Sequence, residues 1–162
     1  MSVVTDYLKN RGLVFEVISH GQAYTSIDEA RALGINADEV LKTVALDTPS
    51  GHALAVIPGS RRLSTKLVRK AIGDRHISLA TEDELEHDFP EFELGALPPL
   101  GSLLRTPTYV DPEVMTHETV AFAAGNQKES VKIRTEALFR HESITIVPLT
   151  RHASNEDEEL LR

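Results

Sequence analysis

The chain has 162 residues, a formal net charge of −8, 41% hydrophobic and 26% charged residues, and no cysteine. That is the length of one domain with a full core, and the missing cysteines exclude disulfides, thiol nucleophiles and thiolate metal sites. The acidic balance argues against a protein that coats DNA or other nucleic acid nonspecifically, and no apolar run is long enough to span a membrane. The first residues, M-S-V-V-T-D-Y-L-K-N, lack the basic start and apolar run of a signal peptide, so a cytoplasmic location is expected. The histidines occur singly, with no H-x-x-x-H or H-x-H, and neither a metal nor a cofactor is expected.

Ser2 or Thr5 can cap a first helix reaching Asn10, with Val3, Val4, Tyr7 and Leu8 on one face and Gly12 as its stop. Residues 13–18 read as a strand ended by His20-Gly21. Ser26 is expected to cap a second helix, with Glu29 at the capping-box position and Gly34 at its close. Asp38 opens a helical turn leading into the apolar strand 40–46, which pairs with 53–57 across T-P-S-G-H. Ser64 caps a helix that runs to Ile72 and stops at Gly73; Leu67, Val68, Ala71 and Ile72 form its buried stripe.

Further on, 76–79 reads as a strand and Thr81 starts an acidic helix with Glu84 at the capping-box position. Residues 93–103, E-L-G-A-L-P-P-L-G-S-L, should form a rigid apolar loop, because Pro98-Pro99 with Gly95 and Gly101 exclude regular helix and central strand. Strands are expected at 108–110, 119–123, 130–133 and 144–147, with turns at Asp111-Pro112 and Gly125-Asn126 and a helical turn at 136–140. The residues from Thr150 read as an acidic mobile tail, so the domain is expected over 1–149 and the tail over 150–162. About seven strands among about four short helices, with at least one hairpin, imply a single mixed-sheet α/β (α+β) domain rather than a doubly wound one.

Few residues offer chemistry. G-x-S-x-G, G-x-x-x-x-G-K-[ST] and G-x-G-x-x-G are all absent. The acids of 82–93 have the spacing of a solvated helix face. Lys42 enters an otherwise apolar strand, where its ammonium must either snorkel to water or point into a cleft. The apolar loop at 93–103 is either a stiff core crossover or the lining of a small pocket. Asn126 and Gln127 follow an apolar strand, either as a plain hairpin turn or as amides orienting a ligand. Arg61, Arg62, Lys66, Arg69, Lys70 and Arg75 crowd 61–75, and Lys66, Arg69 and Lys70 share one helix face at i, i+3 and i+4. Such a face is either merely solvated or docks a defined anionic partner.

Taken in order, V-L-K-T-V-A-L at 40–46, A-V-I-P-G-S-R-R-L at 55–63, E-L-G-A-L-P-P-L-G at 93–101, Y-V-D at 109–111 and V-A-F-A-A-G at 120–125 resemble the YbaK/prolyl-tRNA synthetase-associated editing domains; so does A-Y-T-S-I-D-E-A at 23–30. The resemblance spans about 20–140. It implies a compact mixed α/β fold with a partly barrel-like sheet flanked by short helices. It also implies hydrolysis of the ester joining a wrongly attached small amino acid, such as Ala, Cys, Ser or Thr, to tRNA, often tRNA for proline. By position it implies that Lys42 places the 3′-terminal nucleotide and that the backbone of Gly101 contacts the aminoacyl group. Gln127 stands where the nearest subgroup has His, and an amide cannot take up a proton near neutral pH.

On this reading water attacks the ester, assisted by the substrate's own hydroxyl or amino group, while Gly101 and Asn126 hold the amino acid. Thr43, Val44, Pro99, Leu100, Phe122, Gly125 and Gln127 complete the substrate pocket, and Arg61, Arg62, Lys66, Arg69 and Lys70 meet tRNA phosphates. The expected partners are the acceptor end of tRNA and a companion synthetase. The alternatives are a noncatalytic module binding aminoacyl-tRNA or a nucleotide on the same fold, and hydrolysis of some other activated ester.

Overall fold

Ser2 opens the first helix, α1 (Val3–Asn10), through a reciprocal capping box with Thr5 that satisfies backbone donors at the helix start. The computed structural model describes residues 2–151. After α1 come β1 (Phe15–Ser19), α2 (Ser26–Leu33), a 3-10 turn at Ala37–Glu39, and the hairpin of β2 (Leu41–Thr48) and β3 (Gly51–Pro58). Next are α3 (Thr65–Ile72), β4 (Ser78–Leu79), α4 (Glu82–Asp88) and α5 (Gly101–Leu104). β5 (Thr108–Val110), a 3-10 turn at Pro112–Thr116, β6 (Thr119–Ala123), β7 (Glu129–Arg134), α6 (Thr135–Phe139) and β8 (Ile144–Ile146) complete the order.

The strands form two sheets. One is antiparallel in the order β1-β7-β6; the other is mixed, in the order β4-β2-β3-β5-β8, with β3, β5 and β8 parallel. Among the described residues a bridge from Val40 to Ala121 joins them, so the expected mixed sheet is present in two linked parts. β3 explains its own apolar run. Leu54 and Val56 face the larger core between the sheets, and Ala53, Ala55 and Ile57 face a second core under α3, so both faces are buried. Among the described residues no helix is long and apolar enough to cross a membrane.

Three local expectations are corrected. The cap of α2 is Thr25, whose hydroxyl accepts from the Asp28 N–H at 3.1 Å, and not Ser26. Glu29 does not complete a capping box; its side chain turns inward to Ser130. Gly101 starts a helical turn inside the stretch expected to exclude one, because proline restrains the residue before it and leaves the chain after Leu100 free to coil.

Thr150, the expected first residue of the tail, is part of the fold. Asp111 Oδ2 accepts from Leu149 N, Thr150 N and Thr150 Oγ1, each at 2.9 Å, and Thr150 bridges Leu63. The rest of the expected tail, from 152 on, lies outside the described residues.

Candidate active site

The site lies where β2 loses a neighbour. β4 pairs only with Leu46 and Asp47, and the Ala80 N–H reaches the Ala45 carbonyl at 3.0 Å. By the two-residue alternation of a strand, the backbone N–H and carbonyl of Thr43 face the same edge, where no strand continues. A cavity of about 320 Å³ opens there, lined by consecutive residues 42–45. Lys42 is half-buried and has no carboxylate partner among the described residues. Burial pushes its ammonium below the ordinary lysine value, and the charge of Arg62 pushes the same way. Thr43 lines the cavity, and its Oγ1 is buried without a hydrogen-bond partner.

The walls come from three separate stretches. Tyr24, Thr25, Ser26 and Ile27 form one side, Gly95 and Leu97 of the proline loop another, and Leu79, Ala80 and Leu85 the third. Glycine is required at two contacts. Gly95 has φ of +77°, and a Cβ there would lie 2.9 Å from the Tyr24 carbonyl oxygen. At Gly59 a Cβ would lie 2.6 Å from Ser26 Cβ. Two of the walls therefore close only because side chains are missing.

Gln127 holds two walls from behind. Its backbone N–H donates to Glu93 Oε1 at 2.8 Å, its side-chain amide donates to the Leu94 carbonyl at 3.0 Å, and its Oε1 accepts from Gln22 at 2.7 Å. Its carbonyl accepts from Ala23 N at 2.8 Å, and Glu93 N donates to the Gly125 carbonyl at 2.9 Å. The Gly125–Gln127 turn is thus a bracket for the loops, not a cavity wall. Asn126 completes the turn, accepting from Lys128 N and donating to Glu129 Oε1.

The expected site residues divide accordingly. Lys42, Thr43 and Val44 meet at the cavity. Leu100 and Phe122 lie in the main core, Pro99 is buried beside them in the chain, and Gly125 packs against Phe92 and Val4. Gly101 is buried with its Cα turned to Thr106 and Thr108, away from the cavity; the loop glycine at the cavity is Gly95. Local sequence gives both glycines the same appearance. Tyr24, Ser26 and Gly59 were signalled only as parts of the A-Y-T-S and I-P-G-S blocks.

A shallower depression of about 250 Å³ adjoins the first, sharing Lys42, Val44 and Leu79 and adding Arg62 and Leu63. Lys42 therefore stands between an apolar basin and a basic one. Lys66, Arg69 and Lys70 are exposed on α3, whereas Arg61 is engaged with Glu113 at 3.8 Å and Thr150 at 3.4 Å.

Behind the third wall, His52 lies between Asp47 (2.9 Å) and Asp88 (2.7 Å), which ties the β2–β3 hairpin to α4. Burial alone would lower the imidazole; hydrogen bonds to Asp88 and the Leu46 carbonyl, with the charges of Asp47 and Asp88, outweigh it and hold the ring above its ordinary value. Burial, with a hydrogen bond to Glu84, raises the Asp47 carboxyl.

The structure is thus a two-sheet α/β domain with a small, largely apolar cavity beside Lys42, which has no carboxylate partner among the described residues. The chain belongs to the aminoacyl-tRNA editing domain family, whose model matches residues 20–141. It is 28% identical over 110 residues to the Enterococcus faecalis protein named "Putative Cys-tRNA(Pro)/Cys-tRNA(Cys) deacylase EbsC", covering 67% of this chain and 66% of that one. It is 30% identical over 77 residues to a proline–tRNA ligase of Fervidobacterium nodosum, covering 48% of this chain and 13% of the ligase. In fold it is similar to a solved structure described as a putative trans-editing enzyme for prolyl tRNA synthetase, with a TM-score of 0.81, 21% identity, and coverage of 92% and 95%.

Proposed function

We propose that the protein is a hydrolase that removes a wrongly attached small amino acid from tRNA, acting in trans on the ester at the acceptor end. The observation that carries this reading is Lys42, a half-buried cation with no acidic partner among the described residues, at the edge of an apolar cavity. Such a group is stabilised by an anion, and a nucleotide phosphate supplies one. The terminal phosphate or ribose lies against Lys42 and Arg62, and the amino acid enters the basin of Val44, Ala45, Leu79, Leu85 and Leu97. A cavity of about 320 Å³ with these walls suits a small side chain such as that of Ala, Cys, Ser or Thr.

No side-chain nucleophile is needed, because an aminoacyl ester is already activated. Water attacks the carbonyl, and the substrate's own hydroxyl or amino group takes the proton. The Thr43 backbone N–H at the open strand edge stabilises the developing oxyanion. Gly95, with φ of +77°, brings the proline loop close to the amino acid. Lys66, Arg69 and Lys70 meet acceptor-stem phosphates. On this reading the protein works in the cytoplasm, on tRNA for proline or a related tRNA, with a synthetase as companion.

The test is release of amino acid from a panel of mischarged tRNAs, wild type beside Lys42→Ala, with correctly charged controls. Selective hydrolysis lost in the variant is the expected result. Binding without turnover across the panel would replace the hydrolase by a noncatalytic module.

A further inference from the structure

Glu29 is the most conspicuous buried group that the cavity chemistry does not use. It is 6% exposed, on the inner side of α2, the helix whose first residues form a cavity wall. Its Oε2 lies 2.5 Å from Ser130 Oγ, on β7; Ser130 Oγ lies 2.8 Å from His20 Nε2; and His20 Nδ1 lies 2.6 Å from the Gly21 carbonyl oxygen. The three side chains form one chain of hydrogen bonds. It spans both ends of the segment that carries Tyr24.

The direction of each bond follows from what each atom can do. The Gly21 carbonyl only accepts, so His20 Nδ1 carries a proton. With a neutral imidazole, Nε2 accepts from the Ser130 hydroxyl, whose oxygen must then accept from a protonated Glu29. With an imidazolium, Nε2 donates to Ser130, and the hydroxyl turns to donate to an ionised Glu29. The two arrangements hold the same number of protons and satisfy every bond. One proton more leaves the Ser130 hydroxyl without an acceptor; one proton fewer gives it two acceptors and only one hydrogen.

We propose that Glu29, Ser130 and His20 are positioning residues that share one proton and hold the Tyr24–Ile27 wall of the cavity in its binding geometry only while that proton count is kept. Burial raises the Glu29 carboxyl above its ordinary value, with Ser130 and His20 acting against it. Of the charged residues on the same elements, Asp28 pairs with Arg31 at 3.9 Å and Glu129 accepts from Asn126, while Lys132 lies opposite Glu16 in the β1–β7 register. The wall therefore loosens at both ends of a pH window.

The kinetic half of the test rests on the deacylase reading; the spectroscopic half does not. Nitrogen NMR of His20 in the whole protein at neutral pH should show a protonated Nδ1. A neutral ring protonated only at Nε2 would overturn the relay whatever the protein hydrolyses. In deacylation assays, Ser130→Ala should raise KM about tenfold and leave kcat within about threefold, as expected for lost positioning bonds. Glu29→Gln can donate to Ser130 but cannot ionise, so it should retain activity near neutral pH and lose the alkaline limb of the KM profile. If Glu29→Gln keeps both limbs as in wild type, the relay does not control the wall. If wild type deacylates nothing while His20 shows the expected proton, the functional reading fails and the relay stands.

Discussion

The side-chain amide of Gln127 donates to the Leu94 carbonyl at 3.0 Å, across 33 residues of chain, and so ties the β6–β7 turn to the proline loop. With the bonds to Gln22, Ala23 and Glu93, this makes the turn the common support of two cavity walls. The residue that cannot serve as a base is suited to this task, because an amide donates to a carbonyl through its nitrogen and accepts from a second amide through its oxygen without changing its protonation state. Gln127→Ala should leave the fold intact, lower stability by about 1–2 kcal/mol, and raise KM more than it lowers kcat. Gln127→Glu should do worse, because it removes the donor and adds a charge beside Glu93. Denaturation and steady-state kinetics on both variants check this.

Lys42 should trade stability for activity. Its folded value lies below the ordinary 10.5, so the charged form is disfavoured in the fold. The unfolded chain binds the proton more tightly, and the resulting penalty is present at neutral pH and relieved as pH rises through the lowered value towards 10.5. Lys42→Met should raise Tm at neutral pH by about 2–4 °C, the equivalent of about 1 kcal/mol in a domain of this size, and reduce deacylation about 100-fold or more. Thermal melts at neutral and alkaline pH, where the gain should shrink, give the sign.

The His52 clamp has the opposite sign. Its folded value is raised above 6.5, so its stabilisation is complete below about that pH and is lost as pH rises through the raised value. His52→Ala should remove this alkaline decline, seen as a flatter plot of urea midpoint against pH.

Gly95→Ala should be felt at the substrate. The left-handed backbone costs about 1–2 kcal/mol for a residue with a side chain, and the added methyl would press on the Tyr24 carbonyl. The expected result is a modest loss of stability with a rise in KM for aminoacyl-tRNA. The same substitution at Gly101 should instead act on stability, because that site faces Thr106 and Thr108 in the interior.

Replacing Lys66, Arg69 and Lys70 together by Ala should leave the melting curve nearly unchanged, since all three are exposed. It should lower tRNA affinity and reduce the slope of log K against log salt by roughly two to three units. An unchanged slope would move the docking surface off α3.

Much of this was legible in local chemistry. The T-P-S-G-H turn specified the hairpin that carries Lys42, and the i, i+3, i+4 spacing of the basic residues placed them on the open side of α3. A charge in an apolar strand drew attention to Lys42 without its fold. What was not legible depends on distance along the chain. Glu29 satisfies the local capping-box pattern but is claimed by Ser130, 101 residues away. Leu100 and Phe122 are apolar residues of the proline loop and of β6, yet apolar character does not distinguish a cavity wall from the core where both lie. Gly95 and Gly101 differ only in backbone angle and in what their missing side chains would touch.

The open edge of β2 supplies the floor, while the proline loop hangs from the Gly125–Gln127 turn and adds no strand to either sheet. Its shape can therefore drift without disturbing the register of the strands beneath it. On the proposed function, grafting a different sequence between Glu93 and Pro99, with both anchors to the turn kept, should exchange the gauge by which the amino acid is measured and leave the grip on the nucleotide as it is.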